Sequence, residues 1–299
     1  MSTAQALAVE HGERAEGPRV TPEWVAQHLD DPAVVLLQVD EEAADHHLSH
    51  PPGSGFIDWQ DCLRGLLRPG QAGRAAFEEL MSDRGILPEH DVVLFGDTDN
   101  QYASGMLWLM RLHGHRQLRL MDGGRAAWSS RGLPMTDVET QRPRTDYRAG
   151  APVPSVRISR DELLAEVSGH VPRSVLLDCR SEREHAGHAT RGPRGHMAPD
   201  IGGHVPGAQN LPVSRLLAED GSLLDVERIE GVLASAGLSR DQIITAYCHQ
   251  SDRSALAWFV LHEVLGYPQV RVYDGGWQEY SNLIGVQVSR HDEQHASGA

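Results

Sequence analysis

A repeat constrains this chain more than any other feature. Gly85-Ile86, Val92-Val93-Leu94-Phe95-Gly96, Gly114 and Gln117-Leu118-Arg119-Leu120-Met121-Asp122-Gly123-Gly124 are answered by Gly237-Leu238, Ile244-Thr245-Ala246-Tyr247-Cys248, Gly266 and Gln269-Val270-Arg271-Val272-Tyr273-Asp274-Gly275-Gly276. Each segment is separated from its counterpart by 152 positions, as Gly96 is from Cys248. A shared offset across four segments means a duplicated domain. The 299 residues leave each copy enough chain for a core of ordinary size.

Upstream the offset changes and so locates an insertion. Leu36-Leu37 matches Leu176-Leu177 at 140, whereas His50-Pro51-Pro52-Gly53 matches His204-Val205-Pro206-Gly207 at 154, so the second half carries 14 extra residues. They fall within Glu184 to Gly203, a Gly-, His-, Arg- and Pro-rich stretch without periodicity, read as a surface loop. Each half reads as helix, strand, loop, helix, strand, helix, and a strand ending in Asp-Gly-Gly. Ser159-Arg160-Asp161-Glu162 is a capping box opening one helix, and Ser174 to Asp178 is the strand after it. Alternating strands and helices predict an α/β fold, two tandem domains each with a mainly parallel sheet flanked by helices. The expected boundaries are domains at 18–135 and 155–290, a Pro- and Gly-containing linker at 136–154, and disordered tails at 1–17 and 291–299.

The chemistry gathers in one stretch of the second half. Ile243 to Tyr247 is a short apolar strand, Cys248 begins a turn, and Ser254 to Leu265 keeps helical spacing up to Gly266, a helix-ending glycine. A lone cysteine is usually a buried apolar residue. This one precedes His249, Gln250, Ser251, Asp252, Arg253 and Ser254, a polar run suited to the crevice at the edge of an open α/β sheet. A thiol facing the amides of a turn and a helix start is expected to have its pKa lowered below about 8.5. Asp252 opposes that, and Arg253 supports it.

Composition excludes other classes. A net charge of −15 argues against a nucleic-acid or anionic-membrane partner. No apolar run approaches the roughly 20 residues of a membrane span, and the N-terminal stretch lacks the apolar core of a signal peptide. Three cysteines, Cys62, Cys179 and Cys248, form no disulfide framework and fit a cytoplasmic setting.

Leu177-Asp178-Cys179-Arg180, Gly203-His204-Val205-Pro206-Gly207-Ala208-Gln209-Asn210-Leu211-Pro212, the Cys248 loop and Tyr273-Asp274-Gly275-Gly276-Trp277 together resemble the rhodanese family, in its tandem two-domain sulfurtransferase form. The resemblance covers nearly the whole chain. It implies two rhodanese-like domains, with the first silent because Gly96 stands where the second has Cys248. It implies that Cys248 takes a sulfane sulfur from a small anionic donor as a persulfide, cradled by the loop from Cys248 to Ser254, and passes it to cyanide or a thiol. No cofactor beyond that covalent persulfide and no metal is implied, and the chain is expected to be a monomer or weak homo-oligomer. Arg180 and Arg183 are the implied candidates for the donor's anionic oxygens. Arg253 is a further candidate, and each arginine could instead be a structural partner of Asp178 or another carboxylate. Relatives that use thiosulfate tend to have a basic loop, and those that use 3-mercaptopyruvate tend to have Gly, Ser, Val and Thr after the cysteine. Arg253 favours thiosulfate, Asp252 weakens that lean, and Ser251 replaces a glycine of many relatives.

Two rivals are a phosphatase, whose loop carries five residues between Cys and Arg where this one has four, and a non-catalytic sulfur-binding sensor. His46, His47 and His50 cluster in sequence, as do His185, His188 and His196 in the insertion; all are read as solvated loop histidines in preference to metal ligands. Cys179 is read as packed inside in preference to a resolving thiol for a Cys248 persulfide, Cys62 has no argued role, and Trp59 lies in a loop segment that resembles one facing the partner domain's crevice, which packing alone explains equally well. The Asp-Gly-Gly segments are read as strand-end turns, since a dinucleotide fingerprint would need Gly-x-Gly-x-x-Gly.

Overall fold

The computed structural model describes residues 17–65, 71–188 and 201–290. Both expected tails, apart from Gly17, and most of the insertion, including His196, lie outside the described residues. The chain divides into two compact units: one is Met1–Pro154 with Leu217–Leu224 and Phe259–Pro268, the other Ser155–Leu216, Asp225–Trp258 and Gln269–Ala299.

In the first unit the order is β1 (Arg19–Val20), α1 (Pro22–Gln27), β2 (Val34–Asp40), α2 (Ala44–Leu48), β3 (Gly55–Asp58), α3 (Trp59–Gly65), α4 (Gln71–Asp83), β4 (Asp91–Phe95), α5 (Gln101–Leu112), β5 (Leu118–Met121) and α6 (Gly124–Ser130). The second half of the sequence gives β6 (Arg157–Ile158), α7 (Arg160–Val167), β7 (Val175–Asp178), α8 (Glu182–Ala186), β8 (Gln209–Asn210), α9 (Val226–Ser235), β9 (Ile244–Tyr247), α10 (Asp252–Trp258), β10 (Val270–Tyr273) and α11 (Gly276–Tyr280). The two five-stranded sheets run β1-β5-β4-β2-β3 and β6-β10-β9-β7-β8. Their pairings are parallel. The identical order is the duplication expressed as topology.

Central strands bury both faces, so every residue of Val34–Asp40 and Ile244–Tyr247 is buried. Helix starts follow local chemistry. Ser159 and Glu162 form the expected capping box on α7, and Asp225 caps α9 by accepting from the Arg228 amide. The helix read from Ser254 to Leu265 begins earlier, at Asp252, and widens into π-type turns over Phe259–Val264. There the Leu265 amide reaches back to Val260 O, and Gly266 closes the run at φ +70°. Phe259–Pro268 belongs to the first unit, where Glu263 takes Arg111 in a bidentate pair, Nε to Oε1 at 3.0 Å and Nη2 to Oε2 at 2.9 Å.

The structure adds elements to the pattern. The edge strands β3 and β8 lie in segments read as loops, and each Asp-Gly-Gly leads directly into a helix. Strands of two to four residues carry too little alternation to be seen in sequence. The stretch read as a linker packs on the first unit: Thr136 bridges to His50, and Tyr147 is buried with its hydroxyl 2.9 Å from His115 Nδ1. Trp59 starts α3 and is buried against Gly105 of α5, where a Cβ would meet its ring.

Candidate active site

In the second unit β9 lies between β7 and β10, and the connections leave toward opposite sides of the sheet from β7 and β9. Ligands of open parallel sheets bind beyond the strand C-termini at such a reversal. Asp178 and Tyr247 are register partners at those ends, and Cys248 is the next residue.

Cys248 is fully buried. Its Sγ accepts the Ser251 N–H at 3.2 Å and lies 3.6 Å from the Ser254 hydroxyl, while its thiol donates to Asp252 Oδ1 at 3.4 Å. Ser254 has a second acceptor for its single hydrogen, Ser251 O at 3.0 Å, so it can turn to the sulfur when charge develops there. The tight loop comes at a cost. Ser251 holds φ +111°, where L-residues are strained, and its buried hydroxyl has no partner. From below, the Trp277 amide donates to Cys248 O at 2.8 Å and the Gln278 amide to His249 O at 3.1 Å. Only glycine permits that approach at Gly276, φ +58°, because a Cβ would sit 2.5 Å from His249 O. Gln250 Nε2 donates to Gln278 Oε1 at 2.6 Å.

The expected lowering of the Cys248 pKa does not occur. Burial, followed by the Asp252 charge, pushes it up to about 11, and Arg253 and Ser254 recover only part of this. Arg253 is itself neutralised, since Nη1 reaches Glu184 Oε2 at 2.8 Å and Nη2 reaches Oε1 at 3.0 Å. Glu184 is held down at about 2: burial opposes its ionisation, but Arg253 and then Ser181 outweigh it. Burial also raises Cys62, to about 12, and Cys179, well above its ordinary value. His249 is half-buried, and burial lowers its pKa.

The sequence candidates therefore separate. Cys248 to Ser251 form the turn, and Asp252, Arg253 and Ser254 are the first residues of α10. Arg180 is fastened to Asp178, by Nε to Oδ1 at 2.9 Å and Nη2 to Oδ2 at 2.6 Å, and lies over the Trp277 ring at 4.7 Å. Asp178 also accepts from His185 Nδ1 at 2.9 Å and the Tyr247 hydroxyl at 3.0 Å. Burial opposes that carboxylate, yet these donors hold it near 2. Arg183 is exposed on α8. Sequence reasoning missed Glu184, although Ser181-Glu182-Arg183-Glu184 repeats the capping-box spacing already noted at Ser159.

The solvated reading of the histidines is corrected for His46, His50 and His185. His185 stacks on His204 at 3.6 Å, and His46 on His50 at 4.0 Å; all four rings are buried. The first unit repeats the contact made by His185, with Gln38 Oε1 2.8 Å from His46 Nδ1. His47 is exposed, as expected. At the position matching Cys248, Gly96 donates its amide to Asn100 Oδ1 at 2.8 Å, and a Cβ there would sit 2.6 Å from Val39 O. The Arg125 amide reaches Gly96 O at 3.1 Å, as Trp277 reaches Cys248 O.

The family model for the rhodanese-like domain matches residues 21–131 and again 159–283. The chain belongs to the rhodanese family. This rhodanese is 36% identical to a Saccharopolyspora erythraea protein provisionally named a thiosulfate sulfurtransferase, over 93% of this chain and 98% of that one. It is 34% identical to the sulfur carrier protein TtuD of Thermus thermophilus, over 92% and 97%. With relatives of that class along almost its full length, it is a sulfurtransferase. Among solved structures it resembles wild-type EanB with a TM-score of 0.78 at 21% identity, covering 92% of this chain and 70% of EanB, a likeness of fold alone. Among the described residues, no helix of this rhodanese is long and apolar enough to cross a membrane.

Proposed function

We propose that this rhodanese transfers sulfane sulfur from thiosulfate, through a persulfide on Cys248, to cyanide or a thiol. The observation that carries the reading is the setting of the Cys248 sulfur, which has an amide and a hydroxyl directed at it and a carboxylate 3.4 Å away to receive its proton. Burial holds the thiol protonated near neutral pH, so proton removal during attack matters.

The steps balance as follows. Asp252 takes the thiol proton while Cys248 attacks the outer sulfur of thiosulfate; that S–S bond breaks, sulfite leaves with the electron pair, and Cys248 holds a persulfide. The acceptor, as thiolate or cyanide, then bonds to the outer sulfur, and Cys248 leaves with the pair and regains the proton. The Ser251 amide and the Ser254 hydroxyl stabilise the sulfur anion in both steps. This chemistry calls on no cofactor beyond the persulfide.

Relatives named for thiosulfate sulfurtransferase activity support that donor, and the Thermus relative's name as a sulfur carrier fits a loaded Cys248 as the species passed on. The test is turnover of thiosulfate and of 3-mercaptopyruvate with cyanide, alongside mass analysis of the loaded protein. The expected result is preference for thiosulfate and a gain of about 32 Da on the Cys248 peptide, reversed by cyanide and absent in Cys248→Ser. Added sulfur mapped to Cys62 or Cys179 would refute the mechanism; loading without turnover would leave a sulfur-binding module.

A further inference from the structure

Arg253 is the loop's cation, yet both terminal nitrogens of its guanidinium are bound to Glu184, and each side chain keeps only 13% of its surface exposed. Glu184 is no casual surface partner. As the third residue of α8 it also accepts the Ser181 amide at 3.0 Å and the Ser181 hydroxyl at 2.7 Å. Ser181 directly follows Arg180, which Asp178 holds to the end of β7. The carboxylate is thus fixed to the sheet edge independently of Arg253. Asp252 lies at the sulfur, and the Arg253 charge that favours the thiolate is shared with both Asp252 and Glu184.

We propose that Glu184 is a specificity-determining residue that acts as an internal competitor for Arg253. An anionic donor reaching Cys248 meets a guanidinium whose charge and two of whose N–H donors Glu184 already engages, so Glu184 sets how weakly the site holds anions. The proposal rests on Cys248 being the reactive thiol. Its role is separate from the proton transfer given to Asp252, because Glu184 touches Arg253 and Ser181 and has no contact with the sulfur.

The test uses reagent charge. Second-order alkylation of Cys248 by iodoacetate and by iodoacetamide, followed by peptide mass, reports whether an anion is favoured or penalised at the thiol. In Glu184→Gln the amide oxygen can still complete the capping box, so only the charge is removed. The iodoacetate to iodoacetamide rate ratio is expected to rise about tenfold in Glu184→Gln, the gain from unmasking one guanidinium a few ångströms away, and to stay within about twofold in Glu182→Gln on the same helix. The KM for thiosulfate is expected to fall by a similar factor with kcat nearly unchanged. An unchanged or lower alkylation ratio in Glu184→Gln overturns the proposal. Arg253→Gln in the Glu184→Gln background is the second variant: with both charges gone the ratio should return to within about twofold of wild type, and a ratio that stays high would show that the gain did not come from Arg253. If neither wild type nor Glu184→Gln turns over thiosulfate while the alkylation ratio still rises, the donor assignment fails and the role of Glu184 stands.

Discussion

The Cys248 thiol donates to the Asp252 carboxylate at 3.4 Å, across the turn that joins the end of β9 to the start of α10. Contact and repulsion coexist in this pair: the carboxylate can receive the proton, yet while charged it resists a thiolate beside it. Because Asp252 takes the proton within the attack, persulfide formation should stay nearly flat from about pH 7 to 9, whereas Asp252→Asn, left to attack as free thiolate, should climb roughly tenfold per pH unit. Asp252→Asn should lower the titration midpoint by about one unit, read as thiolate absorbance near 240 nm. A midpoint that stays in place or rises would show that burial alone sets it.

Ser251 stores strain at φ +111° and buries an unpaired hydroxyl. Such a backbone position costs on the order of 1–3 kcal/mol, of which glycine returns part through its freedom in the unfolded chain. Ser251→Gly should therefore stabilise the protein by about 1 kcal/mol in a denaturant titration, and Ser251→Ala, which keeps the backbone strain, should gain less. Ser251→Gly proving the less stable of the two would remove the strain account.

Arg111 and Glu263 form a buried bidentate pair from positions 152 residues apart, the repeat offset itself. Removing one partner strands a charge, so Glu263→Gln should cost about 3 kcal/mol near neutral pH. Burial raises the Glu263 pKa, but His262 and Arg111 hold it near 2, below its unfolded value of about 4.3. A depressed carboxylate contributes stability above the unfolded pKa and loses it as pH falls toward the folded one. The gap between wild type and Glu263→Gln should close between about pH 4.3 and 2; a constant gap would assign the effect to packing.

A thiol cannot simply be restored to the first unit. Cβ at Gly96 would press on the Val39 carbonyl at 2.6 Å, and backbone there has little room to give. Gly96→Cys in a Cys248→Ser background should lower stability by about 1–3 kcal/mol and load no sulfur, as measured by melting and intact mass. Sulfur loading by that double variant would show that the turn accommodates a nucleophile.

What the sequence disclosed was local or periodic. The 152-residue offset predicted two copies, and the structure returned two sheets of one strand order. The Ser159 box and the Gly266 stop involve residues a few positions apart, so they were legible. Glu184 and Arg253 lie 69 positions apart, and nothing short-range says that they meet. The rise in the Cys248 pKa follows mainly from complete burial, a property of the folded surroundings that a polar loop sequence points away from. His46, His50 and His185 misled for the same reason, because their rings are hidden by stacking, with His204 as the partner of His185, and not by apolar neighbours in sequence.

Those stacked rings turn the duplication into an experiment with its own control. His46 on His50 and His185 on His204 occur in both copies, including the one whose matching turn starts with glycine, so subtracting one copy from the other assigns the stacks to architecture. Around the sulfur the remainder of the subtraction is a thiol, a carboxylate beside it, and a guanidinium held by Glu184. Engineering that aims at new sulfur chemistry has its address in that remainder, while substitutions in the shared part can be judged first in the copy that has no thiol to lose.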